Sequence, residues 1–334
     1  MHKIAIGLAS LTLTGLLGLV GYMMLRSPTP PVVFNKVTIA VPSQINSALM
    51  IVASGKNLFH QTGVEVVNQP FVLGKDALKS VLDGKADLAI VADTPFVTAF
   101  LGGNDIAILT SISHARRAIA LVTLSDGNIQ RVPDLVGKSV GLSKGTNLTY
   151  FLDALLQLNR VPNDKVRLVD VSPEKVIDAL KAGRIDAAVA IEPFLSMARA
   201  DMGDRIKLIY GEDIYAFRFL LVGKTAYIDS HSKDIQRVLQ GLIAANNYIH
   251  DHPLATLDLL GKATNVDGAT IAKYFDSEDY AVGLDQALLL ALENQARWVM
   301  HRGFVAPRSM PNFLTAIKYR DLEAVKPVAV TIVH

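Results

Sequence analysis

Short apolar segments alternate with segments of helical spacing along most of the chain. Apolar runs at 37–41, 64–67 and 86–92 have the length of buried strands. Between them, residues 47–59 and 75–84 have apolar positions at helical spacing. Strands that alternate with helices are typical of βαβ units. The pattern predicts an α/β fold with mostly parallel sheets.

The same order of elements returns about 100 residues later, a period far too long for a solenoid repeat. Segment 82–96, LDGKADLAIVADTPF, matches segment 180–194, LKAGRIDAAVAIEPF. We expect the glycine in each copy to end a helix in the left-handed conformation. The aspartate that follows each glycine should open a strand. The repeat predicts two similar α/β lobes, and its matched pairs are Gly84 with Gly183, Asp87 with Asp186, and Pro95-Phe96 with Pro193-Phe194.

Polar loops follow the predicted strands at matching places in both repeats. In open parallel sheets, ligands lie outside the carboxyl ends of the strands. Helix N-termini at such loops favour an anionic or strongly polar group. The alternative is that Ser43, Asn46, Thr146 and Asn147 only cap helices. We predict a ligand site between the lobes, lined by Gln44, Asn46, Asp93, Thr94, Arg116, Gly145, Thr146, Asn147 and Glu192.

Charged residues among these candidates indicate what the ligand carries. Asp93 and Glu192 flank the predicted cleft and favour an ammonium or amine group in addition to a polar tail. Arg116 precedes the predicted link to the second lobe, where a guanidinium group can bind an anionic head-group. The alternative for Arg116 is a solvated surface pair with Arg117.

The N-terminus predicts export and attachment to the membrane. Residues 4–25 contain no charged residue, and Lys3 and Arg26 bracket them. A helix of this length is ~33 Å long and can span a bilayer. The segment exceeds the ~7–15-residue core of a cleavable signal, and no small-residue cleavage site precedes Arg26. We predict a signal-anchor over 1–26 and a proline-rich linker over 27–35. The signal-anchor is expected to hold the body on the periplasmic side of the inner membrane. The alternative is a cleaved signal peptide with a soluble periplasmic body.

Composition excludes several classes of protein. The chain has no cysteine, which rules out disulfides, cysteine-ligated metals, a thiol nucleophile and a lipid-modified N-terminal cysteine. The 33 basic and 31 acidic residues nearly balance, and no run of basic residues is present. The chain therefore lacks the clusters of basic residues that nucleic-acid-binding proteins usually have. We predict no nucleic-acid partner, no metal site and no cofactor.

Three segments resemble motifs of the nitrate/sulfonate/taurine-type substrate-binding proteins that serve ABC importers. They are LFHQTGVEV (58–66), DLVGKSVGLSKGT (134–146) and ALKAGRIDAAVAIEPF (179–194). The resemblance implies a type II periplasmic-binding-protein fold, in which two lobes joined by two crossovers close on one ligand. It implies lobe 1 at 36–118 and 219–334, lobe 2 at 119–218, and crossovers at 118–123 and 217–223.

The resemblance also implies a function. The chain is expected to be the extracytoplasmic solute-binding component of an ABC importer, whose partner is an inner-membrane permease with its ATPase. The ligand is expected to be a small polar or anionic organic solute, such as a sulfonate, taurine, nitrate or an aminopyrimidine-like compound. A membrane-tethered ligand sensor that uses the same lobes is the alternative.

Enzymatic alternatives have weaker support. Residues 141–145 satisfy G-x-S-x-G between a strand and a helix, so Ser143, Asp229 and His250 can be nominated as a hydrolase triad. The corresponding loop of the first repeat lacks this motif. Related enzymes of thiamine-precursor synthesis depend on cysteine and histidine motifs, and this chain has no cysteine. We predict a binding protein and not an enzyme.

Overall fold

A computed structural model describes residues 34–211, 214–275 and 278–334, without the side chain of Tyr274. The predicted signal-anchor at 1–26, and all of the predicted linker except its last two residues, lie outside the described residues. Within the described ranges, no helix is both long enough and apolar enough to cross a membrane. Residues 35–334 form one compact unit.

The first sheet has six strands of mixed direction. In spatial order these are β11 (Glu278–Asp279), β4 (Ile106–Ala115), β10 (Phe217–Lys224), β3 (Leu88–Ala92), β1 (Asn35–Pro42) and β2 (Val64–Phe71). β1 pairs in parallel with β2 and β3, whereas β10 runs antiparallel to both β3 and β4. All five residues of β3 are buried, as expected for a strand covered on both faces.

The second sheet has five strands with the same arrangement. In spatial order these are β7 (Arg167–Asp170), β6 (Ser139–Leu142), β8 (Ala187–Ile191), β5 (Ile119–Leu124) and β9 (Ile206–Tyr210). β6 pairs in parallel with β7 and β8, whereas β5 runs antiparallel to β8 and β9. The prediction of two α/β lobes is therefore confirmed. The prediction of mostly parallel sheets holds for strand direction, since four strands of each sheet run the same way, but both sheets are mixed because each contains an inserted antiparallel strand.

The two predicted crossovers are themselves the inserted strands. Residues 118–123 and 217–223 largely coincide with β5 and β10, which lie inside the second and first sheets. They are apolar because sheet neighbours and helices bury them, and not because they cross a gap between lobes. The chain passes from one sheet to the other just before each of these strands. The sheet to which each strand belongs agrees with the predicted division into two lobes. The exact residue bounds of the lobes stay a prediction.

The repeat is confirmed at its matched residues. The Asp87 carboxylate accepts the backbone N–H of Thr38 at 2.7 Å, and the Asp186 carboxylate accepts that of Ser139 at 2.7 Å. Each aspartate thereby ties the start of β3 or β8 to the neighbouring parallel strand. Gly84 and its counterpart in the second lobe have φ of +73° and +65°, the left-handed conformation predicted for both.

Helices cover both sheets and extend the first lobe. Their bounds are α1 (Ala48–Gly55), α2 (Leu58–Gln61), α3 (Gly74–Leu82), α4 (Asp93–Leu101), α5 (Asn147–Leu158), α6 (Val176–Lys181), α7 (Phe194–Met202), α8 (Thr225–Ser230), α9 (Ser232–Asp251), α10 (Pro253–Thr264), α11 (Gly268–Phe275), α12 (Gln286–His301) and α13 (Arg320–Val325). α9 packs against α1 and α2, and α12 packs against α4. Gly241 lets α9 approach α2 closely, since a Cβ there would lie 2.4 Å from the Phe59 ring.

Candidate functional site

A narrow cavity of about 20 Å³ lies between the lobes, at the carboxyl ends of their parallel strands. That volume holds roughly one water molecule. From the first lobe and the returning strand β10 it is lined by Gln44, Leu73, Gly74, Lys75, Ala92, Pro95, Phe217 and Phe219. From the second lobe it is lined by Thr146, Asn147, Leu148 and Ile191.

Most of the predicted site residues lie at or beside this cavity. Gln44, Thr146 and Asn147 line it directly. Asp93 and Glu192 each follow a lining residue, and both are buried. The remaining candidates are the buried Asn46 and Thr94, the half-buried Gly145 with φ of +70°, and the exposed Arg116, which does not line the cavity.

The donor side of the cavity is formed by the loop before α5. Thr146 caps this helix, since its hydroxyl oxygen accepts the Leu148 backbone N–H at 3.2 Å. The Lys75 ammonium, from the opposite lobe, donates to the Ser143 hydroxyl at 3.3 Å. Asn147 is buried, and its side-chain NH₂ donates to no described residue. A helix N-terminus, an ammonium group and a free amide donor together favour an anionic group.

Asp93 is held by groups outside its own loop. Its Oδ1 accepts the backbone N–H of Thr94 at 2.9 Å and the hydroxyl of Tyr215, which precedes β10. Burial raises the pKa of the Asp93 carboxyl to about 6, although these hydrogen bonds oppose the rise. The Thr94 hydroxyl donates to the Gln295 side chain at 2.6 Å. Oδ1 of Asp93 and the Thr94 hydroxyl are therefore already engaged within the protein.

The acidic side of the site consists of Glu192, which follows the cavity-lining Ile191, and Glu278, which does not line the cavity and which the sequence does not single out. The Glu192 carboxylate accepts the backbone N–H of Ser196 at 3.0 Å, and burial raises its pKa to about 7. Glu278 accepts the Asn46 side-chain NH₂ at 2.7 Å. Burial, together with the negative charge of Glu192, holds the pKa of Glu278 well above its usual range. Two buried carboxyls thus lie close enough for the charge of one to act on the other.

No motif pointed to Glu278. It lies outside the repeat, and β11, the two-residue strand that contains it, pairs with the distant strand β4. Only its position near Asn46 and Glu192 in three dimensions reveals it. The loop with Asn46 is fixed by the Ser113 hydroxyl, which donates to the Asn46 backbone carbonyl at 2.9 Å.

A second set of contacts links the lobes beside the cavity. Asp153, on α5, accepts the Trp298 indole N–H at 2.8 Å and forms an ion pair with Arg302 at 2.9 Å. The Trp298 ring meets the Tyr150 ring edge-on, with 5.2 Å between centroids, and Tyr150 meets Tyr215 in the same way at 5.0 Å. Trp298 therefore packs within the protein.

The nominated hydrolase triad is not assembled. Asp229 binds the Lys318 ammonium at 2.7 Å, and the exposed His250 contacts Asp251 at 3.0 Å. Neither contacts Ser143, whose hydroxyl is bound by Lys75.

Two α/β lobes of this topology, with a narrow cavity at their facing strand ends, define a ligand-binding protein fold of the periplasmic-binding-protein type. The chain belongs to the NMT1/THI5-like family, whose model matches residues 44–256. It is 25% identical, over 70% of its own length and 71% of the relative's, to a Bacillus subtilis (strain 168) protein named for binding aliphatic sulfonates. The resemblance to this group of binding proteins is thereby confirmed.

Solved structures share the fold. The periplasmic aliphatic sulphonate-binding protein SsuA of Escherichia coli superposes with a TM-score of 0.74 at 19% identity, covering 85% of this chain and 97% of that one. The alkanesulfonate-binding protein SsuA of Xanthomonas axonopodis pv. citri, bound to MOPS, has a TM-score of 0.74 at 18% identity, covering 85% and 98%. At these sequence identities, the similarity establishes only a shared fold.

One structural neighbour is an enzyme. The desulfurization enzyme DszB, solved as a cysteine-to-serine mutant with biphenyl-2-sulfinic acid, has a TM-score of 0.67 at 14% identity and covers 89% of this chain and 100% of that one. The fold therefore supports both binding and catalysis. The difference between them must come from the side chains of the site.

Proposed function

We propose that the chain is the periplasmic solute-binding component of an ABC importer. The observation that carries the proposal is the interlobe cavity, to which both lobes contribute strand ends and to which the second lobe adds the N-terminus of α5. Family membership and the sulfonate-binding relatives support the same role. The role requires no catalytic turnover, and the chain has no cysteine to act as a nucleophile.

The ligand is a small polar organic solute held from both sides. The described cavity is too small for such a solute, so the lobes must separate to admit it and close again around it. Contacts that join the lobes, such as the ion pair between Asp153 and Arg302, break and re-form in this cycle. The first lobe contributes Gln44, Asn46, Asp93 and Thr94, the second contributes Gly145, Thr146, Asn147 and Glu192, and Arg116 lies further out.

The partner is an inner-membrane permease with its ATPase. Residues 4–25 form the membrane contact and keep the body on the periplasmic side, with lobe 1 at 36–118 and 219–334 and lobe 2 at 119–218. Fractionation of cells that express the full chain tests the anchor. Mature protein that begins after residue 26 and is free in the periplasm contradicts it.

Ligand screening tests the solute-binding role. The full chain, purified in detergent, is screened by thermal shift against alkanesulfonates, carboxylates and amines, because a solute that binds the native state raises the apparent melting temperature. Asn147→Ala, which removes a cavity-lining donor, should lower the affinity for the best anionic solute. Gln157→Ala, on the exposed far end of the same helix, is the matched control. Absence of saturable binding to any member of the panel contradicts the proposal.

A further inference from the structure

We propose that the carboxyls of Glu192 and Glu278, together with the amide oxygen of Asn46, form a receptor for a protonated nitrogen group on the solute. The inference rests on the proposed solute-binding function and specifies the chemical class of the solute. It predicts a solute that carries an ammonium or amidine-type group in addition to its anionic group, and not a plain alkanesulfonate.

Backbone pairing brings the two carboxyls together. Glu278 pairs with Ala115 at the end of β4, and the backbone N–H of Glu192 donates to the carbonyl of Ala118 at 2.9 Å. Residues 115 and 118 are three positions apart on the segment that links the sheets. Glu278 from the first lobe and Glu192 from the second are therefore held on either side of this segment.

Acceptor atoms at this place are left without donors. Oε1 of Glu278 and Oδ1 of Asn46 are buried, and neither accepts a hydrogen bond from the described residues. Asn46 is fully buried, and its NH₂ is already bound to Glu278, so its oxygen lies beside the same carboxyl. Buried acceptors without donors are costly and rare in native proteins. A ligand with several N–H donors satisfies them.

The surrounding charges favour a cation at this point. Arg199 is the cation that acts on the Glu192 carboxyl, and its guanidinium group also binds the Tyr210 hydroxyl. Burial raises the pKa of Tyr210, so this phenol stays neutral beside Glu192. Next to Glu278 along the chain, Asp279 forms a contact of 3.3 Å with His114. No cation among the described residues bonds to either glutamate, and a ligand cation can take that place.

The donor side of the cavity adjoins this acidic side. Ile191 lines the cavity together with Asn147 and is followed directly by Glu192, and consecutive Cα atoms are about 3.8 Å apart. The anionic group of the solute binds near Lys75 and the N-terminus of α5, while its nitrogen binds between the carboxyls. A compact solute with both groups spans the two sides.

Matched ligand pairs test the inference on the full chain by titration calorimetry. The pairs are 2-aminoethanesulfonate with ethanesulfonate and 3-aminopropionate with propionate, which differ only in the amine. We expect the amine-bearing member to bind at least about tenfold more tightly, the size of a charge-assisted hydrogen bond. Equal affinities within each pair overturn the inference but leave the proposed function standing. Failure of every pair and of the wider panel to bind contradicts both.

A variant and a proton measurement sharpen the test. Glu278→Gln should reduce the preference within a pair to less than about twofold, while Glu65→Gln on the exposed face of β2 should leave it unchanged. A preference that survives Glu278→Gln overturns the assignment of this residue. If the variant does not fold, the wild type still decides. Titrations in buffers of different ionisation enthalpy should show proton release with the amine-bearing solute only, and equal proton exchange for both members contradicts the inference.

The pH dependence should have opposite signs for the two members. A cation requires the ionised carboxyls, so the affinity for the amine-bearing solute rises between pH 5 and 8, while that for the plain anion falls. Two other groups can add a pH dependence: burial raises the pKa of Asp93 to about 6, and burial lowers the pKa of His114. A profile set by the glutamates changes in Glu278→Gln and disappears when Glu192→Gln is added, because Glu192 titrates near pH 7. A profile that persists unchanged in the double variant is set by Asp93 or His114 and overturns the inference.

Discussion

Asp93 and Glu192 occupy matching positions in the two lobes but have different surroundings. Each follows the last residue of a buried parallel strand, β3 or β8. Asp93 accepts hydrogen bonds from Tyr215 and from the backbone of Thr94, whereas Glu192 accepts one from the backbone of Ser196 and lies close to Glu278. The repeat places a carboxyl at the same point of each lobe. Segments outside the repeat determine the partners of each carboxyl: Tyr215 binds Oδ1 of Asp93, while Oδ2 of Asp93 is buried without a partner among the described residues, and the charge of Glu192 acts on Glu278.

The largest effect on stability is expected from Asp93→Ala. The substitution leaves the Tyr215 hydroxyl and the Thr94 N–H buried without an acceptor, which costs about 1–3 kcal/mol for each group. Urea denaturation of the ligand-free protein at pH 6 measures the loss, and Asp126→Ala in an exposed loop is the control. A loss no greater than in this control means that Asp93 does not support the fold.

The largest effect on binding is expected from Glu192→Gln. The amide keeps the shape of the side chain but removes the negative charge, so the affinity for an amine-bearing solute should fall by about tenfold or more. The free energy of unfolding without ligand should not fall. Calorimetry and denaturation on the same preparations separate the two. A larger loss of affinity in Asp93→Ala than in Glu192→Gln would mean that Asp93, and not Glu192, is the main contact of the solute.

The pH dependence of stability should distinguish Glu192→Gln from the wild type. The fold raises the pKa of Glu192 from 4.5 to about 7, so the folded state holds its proton more tightly than the unfolded chain does. The contribution of this residue to stability is therefore complete below pH 4.5 and is lost as the pH rises to 7, on the order of 3 kcal/mol. The melting temperature of the variant relative to the wild type should rise from pH 5 to 8. A constant difference contradicts this.

Smaller effects are expected at the donor side of the cavity. Thr146→Ala removes the cap of α5 and should lower stability by about 1 kcal/mol. Asn147→Ala removes an NH₂ group with no partner among the described residues, so stability should hardly change while the affinity for an anionic solute falls severalfold. Equal losses of stability in the two variants would contradict the assignment of Thr146 as a helix cap and of Asn147 as a ligand contact.

The repeat explains why much of the fold can be predicted from the sequence. The matched aspartates, the left-handed glycines and the order of strands and helices are local features, each visible in a short segment. The direction of β5 and β10 is not visible, because a buried strand has the same apolar pattern whichever way it runs. The boundary between α9 and α10 is likewise not visible in the local pattern. Asp251 ends α9, and His252 stands before Pro253, the first residue of α10.

The candidate site could be predicted only where it lies in the repeat. The polar loops that follow matching strands predict Gln44, Thr146 and Asn147, and all three line the cavity. Glu278 could not be found, because its pairing with β4 joins residues that are distant in sequence. The chemistry of the acidic side, which depends on this residue, requires the three-dimensional structure.

The distance between the lobes tests the central claim most directly. The chain has no cysteine, so Glu65→Cys on β2 and Glu174→Cys before α6, both exposed, give two unique sites for spin labels, one on each lobe. We predict that saturation of the full chain with the solute identified by calorimetry shortens and narrows the distance distribution, as the lobes close on the bound molecule. The Glu192→Gln variant should need a higher concentration for the same change. An unchanged distribution at saturation would contradict binding between the lobes.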